Sequence, residues 1–118
     1  SLIWAKKNKD ARHTFNYELM KEWDDRISPS GKQMRSVWYI PLTPLNEKEH
    51  GKHPTQKPLE LMRRIILSNS KEGDLILDPF VGSGTTGVVA IKYNRKFIGI
   101  DIEKDFCELS VKRLLNQA

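Results

Sequence analysis

The chain has 118 residues and a formal net charge of +5, a length that supports one domain with a sizeable core. Its one cysteine, Cys107, excludes a disulfide framework or a thiolate metal cluster and suits a reducing, cytoplasmic setting. No apolar run is long enough to span a membrane and no signal peptide is visible.

The charge is uneven: residues 1–57 hold 11 Lys+Arg against 7 Asp+Glu, and residues 58–118 hold 9 against 8. A basic first half fits a polyanion, nucleic acid before membrane because no basic amphipathic helix is present; a plain solvated surface is the competing account. The text begins without Met inside an apparent strand, Leu2 to Ala5, and is expected to be a piece of a longer protein. Lys6 to His13 reads as an exposed basic loop. Phe15 to Trp23 reads as a helix, broken by the Ser, Pro and Gly of "DRISPSGKQ". Val37 to Ile40 is a predicted strand, and Pro41 to Pro54 a long aperiodic loop of a length that usually serves function. His50 and His53 have no nearby cysteine or paired acids, so no metal site is expected there.

From Pro58 the text becomes regular. Proline suits a first helical turn, and Leu59, Met62 and Ile66, flanked by Leu61 and Ile65, form an apolar face. "KEGD" is a turn, and Leu75 to Leu77 is an apolar strand of the kind found where helices cover both faces of a parallel sheet. A helix over Thr85 to Tyr93 and a strand over Phe97 to Ile100 follow. The last helix carries Cys107, Val111 and Leu114 on one stripe, which makes Cys107 a core thiol. This alternation predicts an α/β sheet with right-handed crossovers.

Gly82, Gly84 and Gly87 fit G-x-G-x-x-G between a strand and a helix. A phosphate-binding P-loop is excluded, because Val88 and Val89 stand where Lys and Ser/Thr are required. A nicotinamide dinucleotide would place its pyrophosphate on the helix N-terminus and its ribose on Asp101. Asp78 argues against it, since a carboxylate at the strand end repels a pyrophosphate and attracts a cation. S-adenosylmethionine (AdoMet) brings an ammonium and a sulfonium for Asp78 and a ribose diol for Asp101. Asp101 also competes as a helix N-cap, and the glycines as a bare turn.

"HPTQKPLELMRRII", "LDPFVGSGTT" and "FIGIDIEKDF", preceded by "IWAKKN", "HTFNYELM" and "VWYIP", together resemble the C-terminal part of a beta-type DNA amino-methyltransferase of restriction–modification systems. The resemblance covers Leu2 to about Leu115 and implies a Rossmann-like AdoMet-dependent methyltransferase fold, present in part. Residues 1–52 would then end the catalytic and target-recognition region, and residues 53–118 would form the AdoMet-binding half. It implies a cofactor site of Asp78, Pro79, Phe80, Gly82, Ser83, Gly84, Thr85 and Asp101, joined by His53, Thr55, Gln56 and Lys57. Lys57 would partner the cofactor carboxylate, with a surface lysine as the plain alternative.

The implied reaction is methyl transfer to an exocyclic amino group of a DNA base, adenine N6 first and cytosine N4 as its neighbour. Such chemistry needs an Asp/Ser-Pro-Pro-aromatic motif to accept the amino protons and stack on a flipped-out base. No Pro-Pro occurs in the sequence. The motif is expected upstream of Ser1, the upstream catalytic segment or a second copy of the chain is the expected protein partner, and the chain alone is expected to be inactive. Lys6, Lys7, Lys9 and Arg12, beside His13, Phe15 and Tyr17, are the candidate DNA contacts. A nicotinamide-dependent oxidoreductase fragment and a non-catalytic DNA-binding piece are the competing readings.

Overall fold

The computed structural model describes residues 2–21, 37–48 and 55–116. Pro58 opens α1 (Leu59–Asn69) at φ −60° and ψ 140°, a conformation its ring favours just ahead of a helix. β1 (Leu75–Asp78) leads through a glycine loop into α2 (Thr85–Lys92), and β2 (Lys96–Gly99) returns beside β1. The strands pair in parallel, Leu75 opposite Lys96 and Asp78 opposite Gly99. α3 (Lys104–Leu115) closes the described chain.

The core lies between α1, α2 and one face of the sheet. Ile66, Val89 and Ala90 are buried there, with Leu59, Met62, Ile76, Tyr93 and Phe97 packed around them. Gly87 has no room for a side chain: a Cβ would lie 2.5 Å from the Phe97 ring and 2.8 Å from Leu114. The opposite sheet face is uncovered by any described residue, with Leu75, Leu77, Ile98 and Ile100 all exposed. The expectation of helices on both faces is thus met on one face only.

A short helix, Tyr17–Lys21, packs on the end of α1 by burying Met20 against Leu67. Asn16 fixes this contact. Its amide donates to the carbonyls of Leu67 and Ser70, and its backbone N–H donates to that of Ser68. Buried Arg95 donates to Ser70 O and Oγ and to Tyr93 O. Two side chains thereby satisfy carbonyls that a helix end leaves without partners. Near the helix start, Glu60 binds Arg63 at 2.6 Å and Arg64 at 2.8 Å. Partial burial raises the Glu60 pKa, but hydrogen bonds from both arginines outweigh it and hold the carboxyl below its ordinary value.

The predicted strands Leu2–Ala5 and Val37–Ile40 are irregular, with Ile3 and Val37 well exposed. A strand exists only through its ladder, and no described segment pairs with either. The first helix was expected to run to Trp23, which lies outside the described residues. So do Asp24 to Arg35, and so do residues 49–54 of the long loop, whose described part carries one 3-10 turn, Leu45–Lys48. The stripe read on the last helix is rotated. Val111 is exposed, Cys107 is half-buried, and the deeply buried residues are Ser110 and Arg113.

Gly87→Ala should destabilise the protein by about 1–3 kcal/mol, because a rigid ring and a helix must both move to admit one methyl. Denaturant unfolding should show a lower midpoint; an unchanged midpoint would mean that the contact yields freely.

Candidate functional site

β1 ends at Asp78, and the chain must turn sharply to start α2 seven residues later. Two glycines make the turn, Gly82 at φ 50° and Gly84 at φ 81°, a region costly for any residue with a Cβ. At Gly84 a Cβ would also lie 2.7 Å from Ser110 Cβ.

Side chains from three elements hold this loop. From β1, Asp78 Oδ1 accepts the Phe80 N–H at 3.0 Å and Oδ2 accepts the Thr86 hydroxyl at 2.6 Å. From beyond β2, Asp101 Oδ2 accepts the Gly82 N–H at 2.9 Å and Oδ1 accepts the Glu103 N–H at 3.0 Å. From α3, Arg113 Nη1 donates to Ser83 O at 2.6 Å, Ser83 Oγ at 3.0 Å and Thr85 Oγ1 at 3.2 Å. Burial pushes the Arg113 guanidinium below its ordinary pKa, while Glu47 pulls the other way. The helix N-cap position of α3 belongs to Glu103, so Asp101 is a loop clamp and not that cap.

The loop faces a cavity of about 320 Å3, at the lower end for small-ligand sites. Of the residues singled out in the sequence, Thr55, Gln56, Lys57, Asp78, Phe80, Gly82, Ser83 and Thr85 line it. Pro79, Gly84 and Asp101 do not; Gly84 turns toward α3 and Asp101 braces the loop. His53 lies outside the described residues. Met62, Val81 and Thr86 also line the cavity, and sequence reasoning passed over them. The signal for Thr86 was its hydroxyl inside the glycine motif, one position after Thr85.

Glu47 braces the segment that brings Gln56 to the cavity. Its carboxylate accepts the Leu59 N–H at 3.0 Å, serving a helix start that has no cap from Pro58. Its backbone carbonyl accepts Gln56 Nε2 at 2.6 Å. That bond fixes the amide orientation, because only the nitrogen can donate. Gln56 Oε1 is left buried without a hydrogen-bond partner, a costly state for an acceptor. The cavity thus offers one carboxylate (Asp78) and one ammonium (Lys57), with Gln56 in its lining. A ligand carrying both charges matches the pair.

The residue pattern of the DNA methylase family, N6/N4 type, matches residues 1–112. The chain belongs to this family. Type II methyltransferase M2.LlaDCHI of Lactococcus lactis subsp. cremoris is 58% identical over 97% of the chain, and M2.DpnII of Streptococcus pneumoniae is 59% identical over the same share. The chain spans 41% of the length of each. The crystal structure of the M1.HpyAVI–SAM complex superposes with a TM-score of 0.66 at 36% identity, covering 90% of this chain and 46% of that one. PvuII DNA methyltransferase, cytosine-N4-specific, reaches 0.58 at 26% identity over 85% of this chain and 35% of that one. The fold is accordingly the Rossmann-like fold of AdoMet-dependent DNA methyltransferases, present in part.

Asp101→Ala should lower stability by about 1–3 kcal/mol, since the part-buried Gly82 N–H loses its acceptor. The comparison is wild-type and variant denaturant curves; overlapping curves would mean that Gly82 has another partner.

Proposed function

We propose that these residues form the AdoMet-binding part of a site-specific DNA amino-methyltransferase acting in the cytoplasm. The observation that carries the proposal is the cavity, which Asp78 and Lys57 both line beside the glycine loop. The methionine end of AdoMet has a carboxylate for Lys57 and an ammonium that can donate to Asp78. Thr55, Ser83 and Thr85 supply further polar groups, and Phe80 an apolar surface. The uncapped start of α2 adds the positive end of its dipole. His53 belongs to the same proposed set by its place beside Thr55 in sequence. Pro79 and Gly84 shape the loop, and Asp101 faces the ribose while bracing Gly82. Bound AdoMet would supply an electrophilic methyl group.

The acceptor in this proposal is an exocyclic amino group of a DNA base, adenine N6 ahead of cytosine N4. The Asp/Ser-Pro-Pro-aromatic motif that such transfer needs is not among these 118 residues, so another segment must bring it. These residues alone bind and do not transfer. The dinucleotide reading loses on charge: the Asp78 carboxylate lines the space that a pyrophosphate would fill. Calorimetry with AdoMet and with NAD separates the two ligands. AdoMet should bind and NAD should not; the reverse result would overturn the proposal.

DNA contact is assigned to Lys6, Lys7, Lys9 and Arg12. Lys6, Lys7, Lys9 and Arg12 are all exposed. Lys6 Nζ donates to Lys9 O, and Asn8 Oδ1 accepts the Asp10 N–H, so the basic side chains sit on a defined turn beside the exposed Phe15 and Tyr17. Reversing charge at Lys7 and Lys9 together should weaken DNA binding and reduce the salt slope by about 2, one for each lost phosphate contact. An unaltered slope would remove phosphate contact from this loop.

A further inference from the structure

Arg113 is a buried cation that lies outside every motif discussed above. The residue is 5% exposed, and all three of its hydrogen bonds run from Nη1 to the glycine loop: Ser83 O, Ser83 Oγ and Thr85 Oγ1. No described carboxylate lies within ion-pair distance of it, and Glu47 acts on it only through longer-range attraction. Burying a guanidinium without a paired carboxylate is costly. A leucine would fill the space without that cost, so packing alone does not explain the residue. What a leucine cannot do is donate to the Ser83 carbonyl and both hydroxyls at once. Those hydroxyls are bonded to nothing else but each other, at 3.3 Å.

We infer that Arg113 is a positioning residue for the cofactor loop, setting the orientation of Ser83 and Thr85 toward the end of the ligand that enters the cavity. Arg113 itself does not line the cavity, whereas Ser83 and Thr85 do; it acts through them. Ser110, three residues earlier, abuts Gly84, so one face of α3 sets both the turn and its side chains. The inference rests on the AdoMet reading of the cavity and adds a division within it. The loop hydroxyls serve the amino-acid end of the ligand, and the nucleoside end, placed by Asp101, is independent of Arg113.

The test compares Arg113→Lys and Arg113→Gln with wild type in the intact polypeptide that carries these residues. Calorimetry with AdoMet and with 5′-methylthioadenosine, which has the nucleoside but no amino-acid end, reads the division. Arg113→Gln should lose about ten-fold or more in AdoMet affinity, keep methylthioadenosine affinity within about two-fold, and be partly rescued by Arg113→Lys. Amide hydrogen exchange without ligand gives a second arm. The Gly82 and Gly84 amides, bonded to Asp101 Oδ2 and Val81 O, should exchange faster while those of β1 and β2 stay unchanged. Parallel loss of both ligands, no loss of either, or uniform acceleration of exchange would overturn the inference. So would failure of both variants to fold, which would make Arg113 a core strut. Wild type that binds neither ligand would instead sink the AdoMet reading, and the exchange arm would still decide the role of Arg113.

Discussion

The fold depends on getting a backbone from the end of β1 into α2 through a turn that has no ladder to hold it. The turn passes two glycines at positive φ and contains only one internal backbone bond, Gly84 N–H to Val81 O. Apart from the Val81 N–H bond to Ile100 O, what fixes it is side chains from elsewhere: Asp78 at the near end, Asp101 in the middle, Arg113 at the far end. This explains why the sheet register matters. Asp78 lies opposite Gly99, so Asp101, two residues on, comes level with the loop. A one-residue slip would turn its carboxylate to the other face.

Much of this was legible in the sequence. The elements from Pro58 onward were expected in the right order and type, with the ends of α2 and both strands within one residue of those observed. Their signals are local: a proline at a helix start, short apolar runs, glycines between. The two early strands failed for the opposite reason. Leu2–Ala5 and Val37–Ile40 have strand composition, but composition does not supply a neighbour.

The site was legible to the same depth. A motif names residues, and most of those named do line the cavity. It does not say which of them hold the loop and which face the ligand. Asp101 looked like a ligand-facing acid or a helix cap; its carboxylate accepts the Gly82 and Glu103 N–H groups, which makes it a brace of the loop, a role the motif does not announce. Arg113 escaped notice because an apolar period marks the face of a helix, and here the buried face carries Ser110 and Arg113 while Val111 points outward. A polar residue chosen for what it donates is invisible to a hydrophobic pattern.

The three clamps also share a direction. All reach the loop from the strand ends or from α3, which packs with α2, and none comes from the uncovered face of Leu75, Leu77, Ile98 and Ile100. Parallel sheets are normally covered on both sides, so that apolar face is unfinished as far as the described residues go. The ligand cavity does not wait on its completion. Sites in open α/β sheets form at the carboxyl ends of strands, and here the loop, its braces and the Gln56–Glu47 contact all lie at or beyond those ends. On the proposed reading, cofactor binding and methyl transfer separate physically: the first draws on groups held together within these residues, the second on a motif that they do not contain.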